Sequence, residues 1–373
     1  MLFLIHTPHP WRGIRQRPHH LALRFAAAGH QVRWIESRYL RWLAQKPGDF
    51  LRARREEPAP GLSVRPATLL NGERLGPVRR ANMRRLARAL RDSAAGAAGP
   101  RVLWLYNPHE AHLADSVGHD LLVYDIMDEY QGFPWSPPSI ADEEAALLRR
   151  AGVVFAGTAA LFDAKRPMAE GRIECLLSGV DTEHFARTAG PPDPALVELR
   201  ARHRRLAGYA GMIDLRIDQP LLAEAARRLP GWGFVLVGPV RCDTGRLRGL
   251  PNVHLVGPRP YDALPACYQS WDAALLPFIE NELTRHINPT KILEYGAAGA
   301  PIVARALPDV ERFYGDGAWL HRTADQFIEA LRQIEEGGPD LERRLAAARA
   351  WAAERGWDTI AGRMLERVMG ELG

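Results

Sequence analysis

One short segment has residue types and a spacing that suit the binding of a phosphate group. Asn288 and Pro289 can start a helix, because a proline at the first helical position lacks only an N–H that would have no partner there. Thr290 and Lys291 then lie in the first turn, and Glu294 lies one turn further along the same face. Free backbone N–H groups, the positive end of the helix dipole and a lysine together predict a phosphate or diphosphate site.

The same segment predicts more than an anion site. The carboxylate of Glu294 could accept hydrogen bonds from ribose hydroxyls, as an acidic residue does in dinucleotide sites. The alternative is an ordinary amphipathic helix with an exposed Lys–Glu pair and a glycine at its end. The rarity of lysine favours the interpretation as a phosphate site over the ordinary helix. Lys291 is one of only three lysines among 49 basic residues, the others being Lys46 and Lys165.

Two series of short strands and helices must position this segment. Apolar strands alternate with amphipathic helices before and after a segment at 187–204 that is rich in proline and charge, which predicts a linker. Continuous apolar strands between helices are typical of parallel sheets covered on both faces. We therefore predict two doubly wound Rossmann-like domains, 1–186 and 205–356, with a C-terminal helix at about 357–373 packed back onto the first. Ligands should bind outside the carboxyl ends of the strands, in the cleft that the two domains face.

The composition narrows the class of protein. The chain has 373 residues, of which 46% are hydrophobic and 25% charged, values typical of globular domains. No apolar run approaches the roughly 20 residues of a membrane-spanning helix. Three cysteines lie far apart without a C-x-x-C pair, which argues against a disulfide framework or a zinc site. These features predict a soluble cytoplasmic protein.

The net charge of +5 hides a strongly basic block. Residues 33–91 contain fifteen Lys or Arg and five Asp or Glu, a net charge of +10. Within the block, 38–55 places aromatic and leucine side chains among positive charges, and 74–91 predicts a helix with seven arginines. Such segments suit an anionic membrane surface, where each basic residue contributes about 1 kcal/mol. The alternative is a solvated arginine-rich face.

Several segments in a fixed order carry a family resemblance. NPTKILEYGAAGAPIVA (288–304), GYAGMIDLRID (208–218) and GFVLVGP (233–239) closely resemble the sugar-nucleotide domain of GT-B-fold glycosyltransferases of the family 4 type. QRP at 16–18 and YDIMDEY at 124–130 are similar to first-domain motifs of one subgroup. The resemblance implies an α/β chain with the GT-B fold, a nucleoside-diphosphate sugar as donor and no cofactor, with a UDP-sugar favoured.

The resemblance also implies roles for individual residues. In the second domain, Arg216 and Lys291 would neutralise the diphosphate, and Glu294 would hold the ribose. The remaining donor-binding residues lie in the surrounding loops: Gly211, Gly238, Pro239, Thr284, Arg285, His286, Asn288 and Thr290, with Gly13 in a first-domain loop. Many family members carry Glu-x7-Glu, but here His286 lies eight residues before Glu294, which puts the acidic contact to the sugar in doubt.

The resemblance implies retaining transfer without a metal, and the chain contains no Asp-x-Asp motif. A leaving phosphate oxygen could take the acceptor's proton, so that a protein base is not obligatory. If a residue of the first domain assists, the candidates are Asp128, His109 and His20, at strand ends or in loops. Each has an alternative role: Asp128 could cap a turn, His109 could cap a helix and His20 could lie on the surface.

The acceptor and the alternative functions can also be considered from the sequence. A sugar or lipid-linked acceptor would place the chain in cell-surface polysaccharide or glycolipid synthesis, at the inner face of the membrane. A UDP-N-acetylglucosamine 2-epimerase-like isomerase shares the fold and is the alternative. A nicotinamide dehydrogenase is disfavoured because no G-x-G-x-x-G follows a strand. No motif for specific nucleic-acid binding is present.

Overall fold

Buried apolar strands and amphipathic helices build two units in this chain. The computed structural model describes all residues except 8, 13–14, 46–47, 49, 51–54, 73–74, 134–135 and 188–192, and also leaves out the side chains of residues 42 and 44. One unit consists of Met1–Leu177 with Trp357–Gly373, and the other of Ser178–Gly356. Among the described residues, no helix is long and apolar enough to cross a membrane.

The first unit is built on an eight-stranded sheet with the order β3-β4-β2-β1-β5-β6-β7-β8. All neighbouring strands are parallel except β3, which is antiparallel to β4. The strands are β1 (Leu2–Thr7), β2 (Gln31–Tyr39), β3 (Glu56–Ala59), β4 (Leu62–Leu69), β5 (Arg101–Leu105), β6 (Leu121–Ile126), β7 (Val153–Ala156) and β8 (Ile173–Cys175). The helices are α1 (Arg17–Ala27), α2 (Arg41–Gln45), α3 (Gly76–Ala94), α4 (Leu113–Ser116), α5 (Ile140–Arg150), α6 (Ala159–Ala169) and the C-terminal helix Trp357–Leu372.

Both faces of this sheet are covered, as its continuous apolar strands require. Phe3 of β1 packs with Phe25 of α1 and Met364 of the C-terminal helix on one face. On the other face Leu4 packs with residues of α3, such as Leu90. The C-terminal helix therefore completes the core of the first unit.

Strands β3 and β4 were not among the predicted elements. Arg65 and Pro66 interrupt the apolar pattern of β4, so that the sequence pattern does not predict this strand. Proline is tolerated here because the pairing of β3 with β4 ends at Val64, two residues before Pro66. The missing N–H of Pro66 therefore breaks no bond to β3.

The second unit is built on a six-stranded parallel sheet with the order β11-β10-β9-β12-β13-β14. Its strands are β9 (Arg205–Ala210), β10 (Trp232–Val237), β11 (Val253–Leu255), β12 (Ala273–Leu276), β13 (Ile302–Arg305) and β14 (Ala318–His321). Its helices are α7 (Thr182–Ala186), α8 (Pro194–Arg202), α9 (Gln219–Arg228), α10 (Leu264–Gln269), α11 (Glu282–Arg285), α12 (Lys291–Ala298), α13 (Pro308–Tyr314), α14 (Ala324–Glu336) and α15 (Pro339–Glu354).

The segment predicted as a linker, 187–204, contains the helix α8. The side chain of Asp193 caps this helix by accepting a hydrogen bond from the Ala195 N–H at 2.9 Å. Leu196 and Leu199 are buried in the core of the second unit. Much of the segment thus belongs to the second unit, and Pro194 is the first residue of α8.

Candidate active site

Three loops lie side by side at the carboxyl edge of the second sheet. The loops follow β9, β10 and β12, and backbone hydrogen bonds join them to one another. The N–H of Ile213 donates to Pro239 O at 3.0 Å, and the N–H of Ile279 donates to Arg216 O at 2.8 Å. This edge is where a doubly wound sheet binds its ligands.

Gly211 and Gly238 allow two of these loops to touch. A Cβ atom on Gly238 would lie 1.8 Å from the carbonyl oxygen of Gly211. The φ of Gly238 is +148°, in the region that only glycine adopts readily. The two residues predicted for donor binding therefore lie in contact, and a side chain on Gly238 would prevent this close approach of the two loops.

Helix α12 begins slightly later than predicted. Its first residue is Lys291, Thr290 occupies the N-cap, and Pro289 lies before the helix. The reason is a tight start, since the N–H of Ile292 donates to Pro289 O and that of Leu293 to Thr290 O, three residues back in each case. These N–H groups of the first turn thus have backbone acceptors, and the positive end of the helix dipole lies at Thr290 and Lys291.

Lys291 and Glu294 meet at this end of the helix. Nζ of Lys291 lies 3.0 and 2.9 Å from the two carboxylate oxygens of Glu294. The hydroxyl of Tyr268 donates to Glu294 Oε2 at 2.7 Å. Burial raises the pKa of Tyr268 well above its ordinary value, and the charge of Glu294 raises it further. Glu294 thus has a fixed orientation. Tyr268 could not be predicted from the sequence, because it lies 26 residues from Glu294.

Arg216 lies in the loop after β9, and it too has a carboxylate partner. Its Nε and Nη2 lie 3.0 and 2.8 Å from the two oxygens of Asp214. The side chain of Arg216 is one-third exposed and that of Lys291 one-quarter exposed. Both cations are accessible, and each is oriented by a carboxylate within the same unit.

Thr284 and Asn288 hold the connecting loop in shape. Thr284 is fully buried, and its hydroxyl donates to Ile279 O at 2.7 Å. Asn288 donates to Asp309 Oδ2 at 3.1 Å and accepts from the Tyr314 hydroxyl at 2.9 Å. Burial raises the pKa of Tyr314 to about 12. Both predicted residues therefore use their side chains within the protein.

Arg285 and His286 lie nearer the solvent. Arg285 Nε is 3.7 Å from Glu280, and Nε2 of His286 is 3.3 Å from Glu282 Oε1. The position where many family members carry a glutamate is thus occupied by a histidine beside a carboxylate.

The first-unit candidates lie in different environments. Asp128 is half-buried in the turn after β6. Nδ1 of His109 lies 2.7 Å from Glu143 Oε2, and the ring is one-fifth exposed. His20 is buried and stacks on Trp357 with ring centroids 4.8 Å apart, which indicates a role in packing. Gly13 lies outside the described residues.

A buried ion pair links the two first-unit motifs. Arg17, from the QRP motif, donates from Nε to both oxygens of Asp125, from YDIMDEY, at 3.0 Å. Its Nη1 also donates to Leu176 O at 2.7 Å. Burial raises the pKa of Asp125 and outweighs the lowering by Arg17. Both motifs are recognisable in the sequence, but their pairing could not be predicted, because 108 residues separate Arg17 from Asp125.

Comparison with known proteins finds similarity to glycosyltransferases. Residues 216–366 match the family model described as glycosyl transferase-like. The chain is 25% identical over 283 residues to the Bacillus subtilis protein named "Putative teichuronic acid biosynthesis glycosyltransferase TuaH", covering 69% of this chain and 70% of that protein.

Solved structures share the fold over the whole chain. Sucrose-phosphate synthase from Thermosynechococcus elongatus matches with a TM-score of 0.76 and 17% identity, covering 100% of this chain and 99% of the other. The Anabaena protein HepE, in complex with UDP-glucose, matches with a TM-score of 0.69 and 16% identity, covering 99% of both chains. At this identity the likeness concerns the fold.

Proposed function

We propose that the second unit binds a nucleoside-diphosphate sugar and that the sugar passes to a hydroxyl acceptor. The reason is that the chain is a glycosyltransferase of the GT-B fold. The observation that carries this proposal is the start of α12, where Lys291 and Glu294 lie together at the N-terminal end of the helix. Lys291 and Arg216 would bind the diphosphate, and Glu294, held by the Tyr268 hydroxyl, would accept hydrogen bonds from the ribose.

The charges suit the reaction. Glycosyl transfer develops negative charge on the departing diphosphate and positive charge at the anomeric carbon. Cations and backbone N–H groups that are already oriented stabilise this developing charge more than they stabilise the bound substrate. Asp214 and Glu294 orient the two cations before the donor arrives.

On the acceptor side, we assign the supporting role to Asp128, with His109 as the second candidate. Both lie in segments that follow strands of the first sheet, after β6 and β5 respectively. His109 is held by Glu143, whose pKa is lowered because hydrogen bonds from Arg79 and His109 outweigh the effect of burial. A retaining, metal-independent reaction completes the proposal and is supported by the family resemblance.

The similar proteins guide the choice of substrate. HepE was solved with UDP-glucose, which supports a UDP-sugar as donor. The name of the Bacillus subtilis relative, which refers to teichuronic acid biosynthesis, supports a role in cell-surface polysaccharide synthesis. We place this role at the cytoplasmic side of the membrane. The similar proteins are glycosyltransferases and synthases, so the epimerase-like alternative is not favoured.

A thermal-shift screen tests the donor. UDP should raise the melting temperature more than GDP, ADP or dTDP does. A ligand that binds only the folded state adds about 2.7 kcal/mol to the unfolding free energy when its concentration is 100 times its Kd. Consumption of a UDP-sugar with release of UDP, dependent on an added acceptor, would then demonstrate transfer. The donor assignment is wrong if all four nucleotides leave the melting temperature unchanged.

We also propose that the basic block contacts an anionic membrane. On α3 the exposed side chains Arg80, Arg84 and Arg88 recur every four residues and form one stripe, and none has a carboxylate partner among the described residues. Leu75, just before this helix, is 63% exposed. Leu40, at the end of β2, is exposed as well. Parts of the predicted segments 38–55 and 74–91 lie outside the described residues.

Vesicle co-sedimentation tests this contact. Changing Arg80, Arg84 and Arg88 together to glutamine should weaken binding to vesicles with anionic lipid by about 100-fold, since each basic residue near the surface contributes about 1 kcal/mol. The control is the same change at Arg227, Arg246 and Arg312, exposed arginines of the second unit. Equal binding by the two triple variants would contradict the proposal.

A further inference from the structure

The first unit contains a buried lysine with two carboxylate partners. Lys165 of α6 is 3% exposed, and its Nζ lies 2.7 Å from Glu144 Oε2 and 2.8 Å from Glu129 Oε2. Glu144 of α5 is also buried, and its other oxygen accepts a hydrogen bond from the Tyr124 hydroxyl at 2.9 Å. This lysine is the second of the three in the chain.

Lys165 keeps its positive charge. Burial lowers the pKa of Lys165, but Glu144 and Glu129 raise it more, so that the net shift is upward. One lysine thus lies between two acidic side chains in a largely buried place. A buried ion pair is weak evidence for a gain in stability over apolar packing, and its best-attested use is to specify one arrangement.

The arrangement that this cluster specifies is the turn after β6. Glu129 begins the turn Tyr130–Gly132, and its Oε1 accepts a hydrogen bond from the Gln131 N–H at 3.2 Å while also contacting Nζ of Lys165 at 3.1 Å. A second anchor follows at once, because the Tyr130 hydroxyl donates to the carbonyl oxygen of Tyr106 at 2.9 Å.

Asp128 lies directly before these anchors. Strand β6 ends at Ile126, so the sheet fixes the chain on one side of Asp128 and Lys165 fixes it on the other through Glu129. Only Met127 separates Asp128 from the strand. The position of its backbone therefore depends on a contact made by the neighbouring residue.

We infer that Lys165 is a positioning residue for Asp128, acting through Glu129 on the turn after β6. The inference rests on the role proposed above for Asp128 in transfer. Lys165 itself is buried, and its effect is to hold the turn in one place. A displacement of about 1 Å in a reacting group can cost about 100-fold in rate.

Two variants separate this role from folding. Lys165→Met leaves two buried carboxylates and can destabilise the unit, whereas Glu129→Gln keeps the Lys165–Glu144 pair and removes only the charged link to the turn. Both should lower kcat for sugar transfer about 10-fold to 100-fold, with UDP affinity unchanged, and Lys165→Arg should restore part of the rate. Asp142→Asn, an exposed acidic residue of α5, is the control for Glu129→Gln.

A double-mutant cycle with Asp128→Asn decides between the outcomes. If Lys165 acts through Asp128, Glu129→Gln should have little further effect once Asp128 is changed. Independent effects that multiply would overturn the inference while leaving the role of Asp128 intact. An unchanged kcat in Glu129→Gln would also overturn it. An unchanged kcat in Asp128→Asn would instead refute the role proposed for Asp128, and with it the reason for positioning it.

Discussion

Replacement of Lys291 by alanine should reduce sugar transfer by about 100-fold to 1,000-fold, the cost of removing one oriented group that stabilises developing negative charge. Nζ of Lys291 stands at the first residue of α12, where it adds to the N–H groups of the helix end. UDP affinity should fall as well, because the diphosphate loses the same contact. Isothermal calorimetry with UDP and an assay of UDP release measure the two effects.

Two further variants make this result specific. Lys291→Arg keeps the charge and should retain UDP binding better than alanine, although its planar head differs in geometry. Arg246→Ala removes an exposed cation from the same unit and should change neither measurement. If the calorimetric affinity for UDP is the same in Lys291→Ala and the unchanged protein, the diphosphate does not bind at α12.

Replacement of Arg17 by methionine should lower the unfolding free energy by about 3–5 kcal/mol, the usual cost of removing one partner of a buried ion pair. Asp125 is fully buried and would keep its desolvation penalty without the two contacts from Nε. Its pKa, already raised by burial, would rise further. Chemical denaturation of the variant measures the loss.

The pH dependence and a double variant identify the cause. A carboxyl with a raised pKa in the folded state binds its proton more tightly there, so stability falls as pH rises from its unfolded value of about 3.9 to the folded one. The cost of Arg17→Met should therefore be larger at neutral pH than in acid. Changing Asp125 to leucine as well should recover much of the loss. A double variant no more stable than Arg17→Met would show that the unpaired charge is not responsible.

The alternation of elements could be predicted because each is encoded locally. Continuous apolar runs such as LFLI predict buried strands, and β1 is buried along its whole length. Local polar residues encode helix starts in the same way, since Thr158 caps α6 by accepting a hydrogen bond from the Leu161 N–H at 3.0 Å. Strand β4 could not be predicted, because Pro66 fits in it only where the pairing with β3 has already ended. Where that pairing ends is a property of the sheet and not of the local sequence.

The candidate site could be predicted in part for the same reason. Lys291 and Glu294 lie one turn apart on a single helix, so their proximity follows from helical geometry. Tyr268 could not be predicted, because its contact with Glu294 joins two separate helices. Near the same helix, Thr284 and Asn288 have polar side chains that turn inward, and no local pattern distinguishes an inward amide from one that meets a ligand.

The contact between Gly211 and Gly238 has a consequence for the thermodynamics of binding. Past the ends of β9 and β10, the N–H of Gly211 still donates to Val237 O, and the N–H of Arg241 donates to Ile213 O. The hydrogen-bond ladder of the sheet thus continues into the loops that would receive the nucleotide. Loops held in this way lose little conformational entropy when a ligand arrives, so a larger share of the contact energy becomes affinity. In the absence of nucleotide, slow amide hydrogen exchange at these positions would indicate that the loops are already held in place.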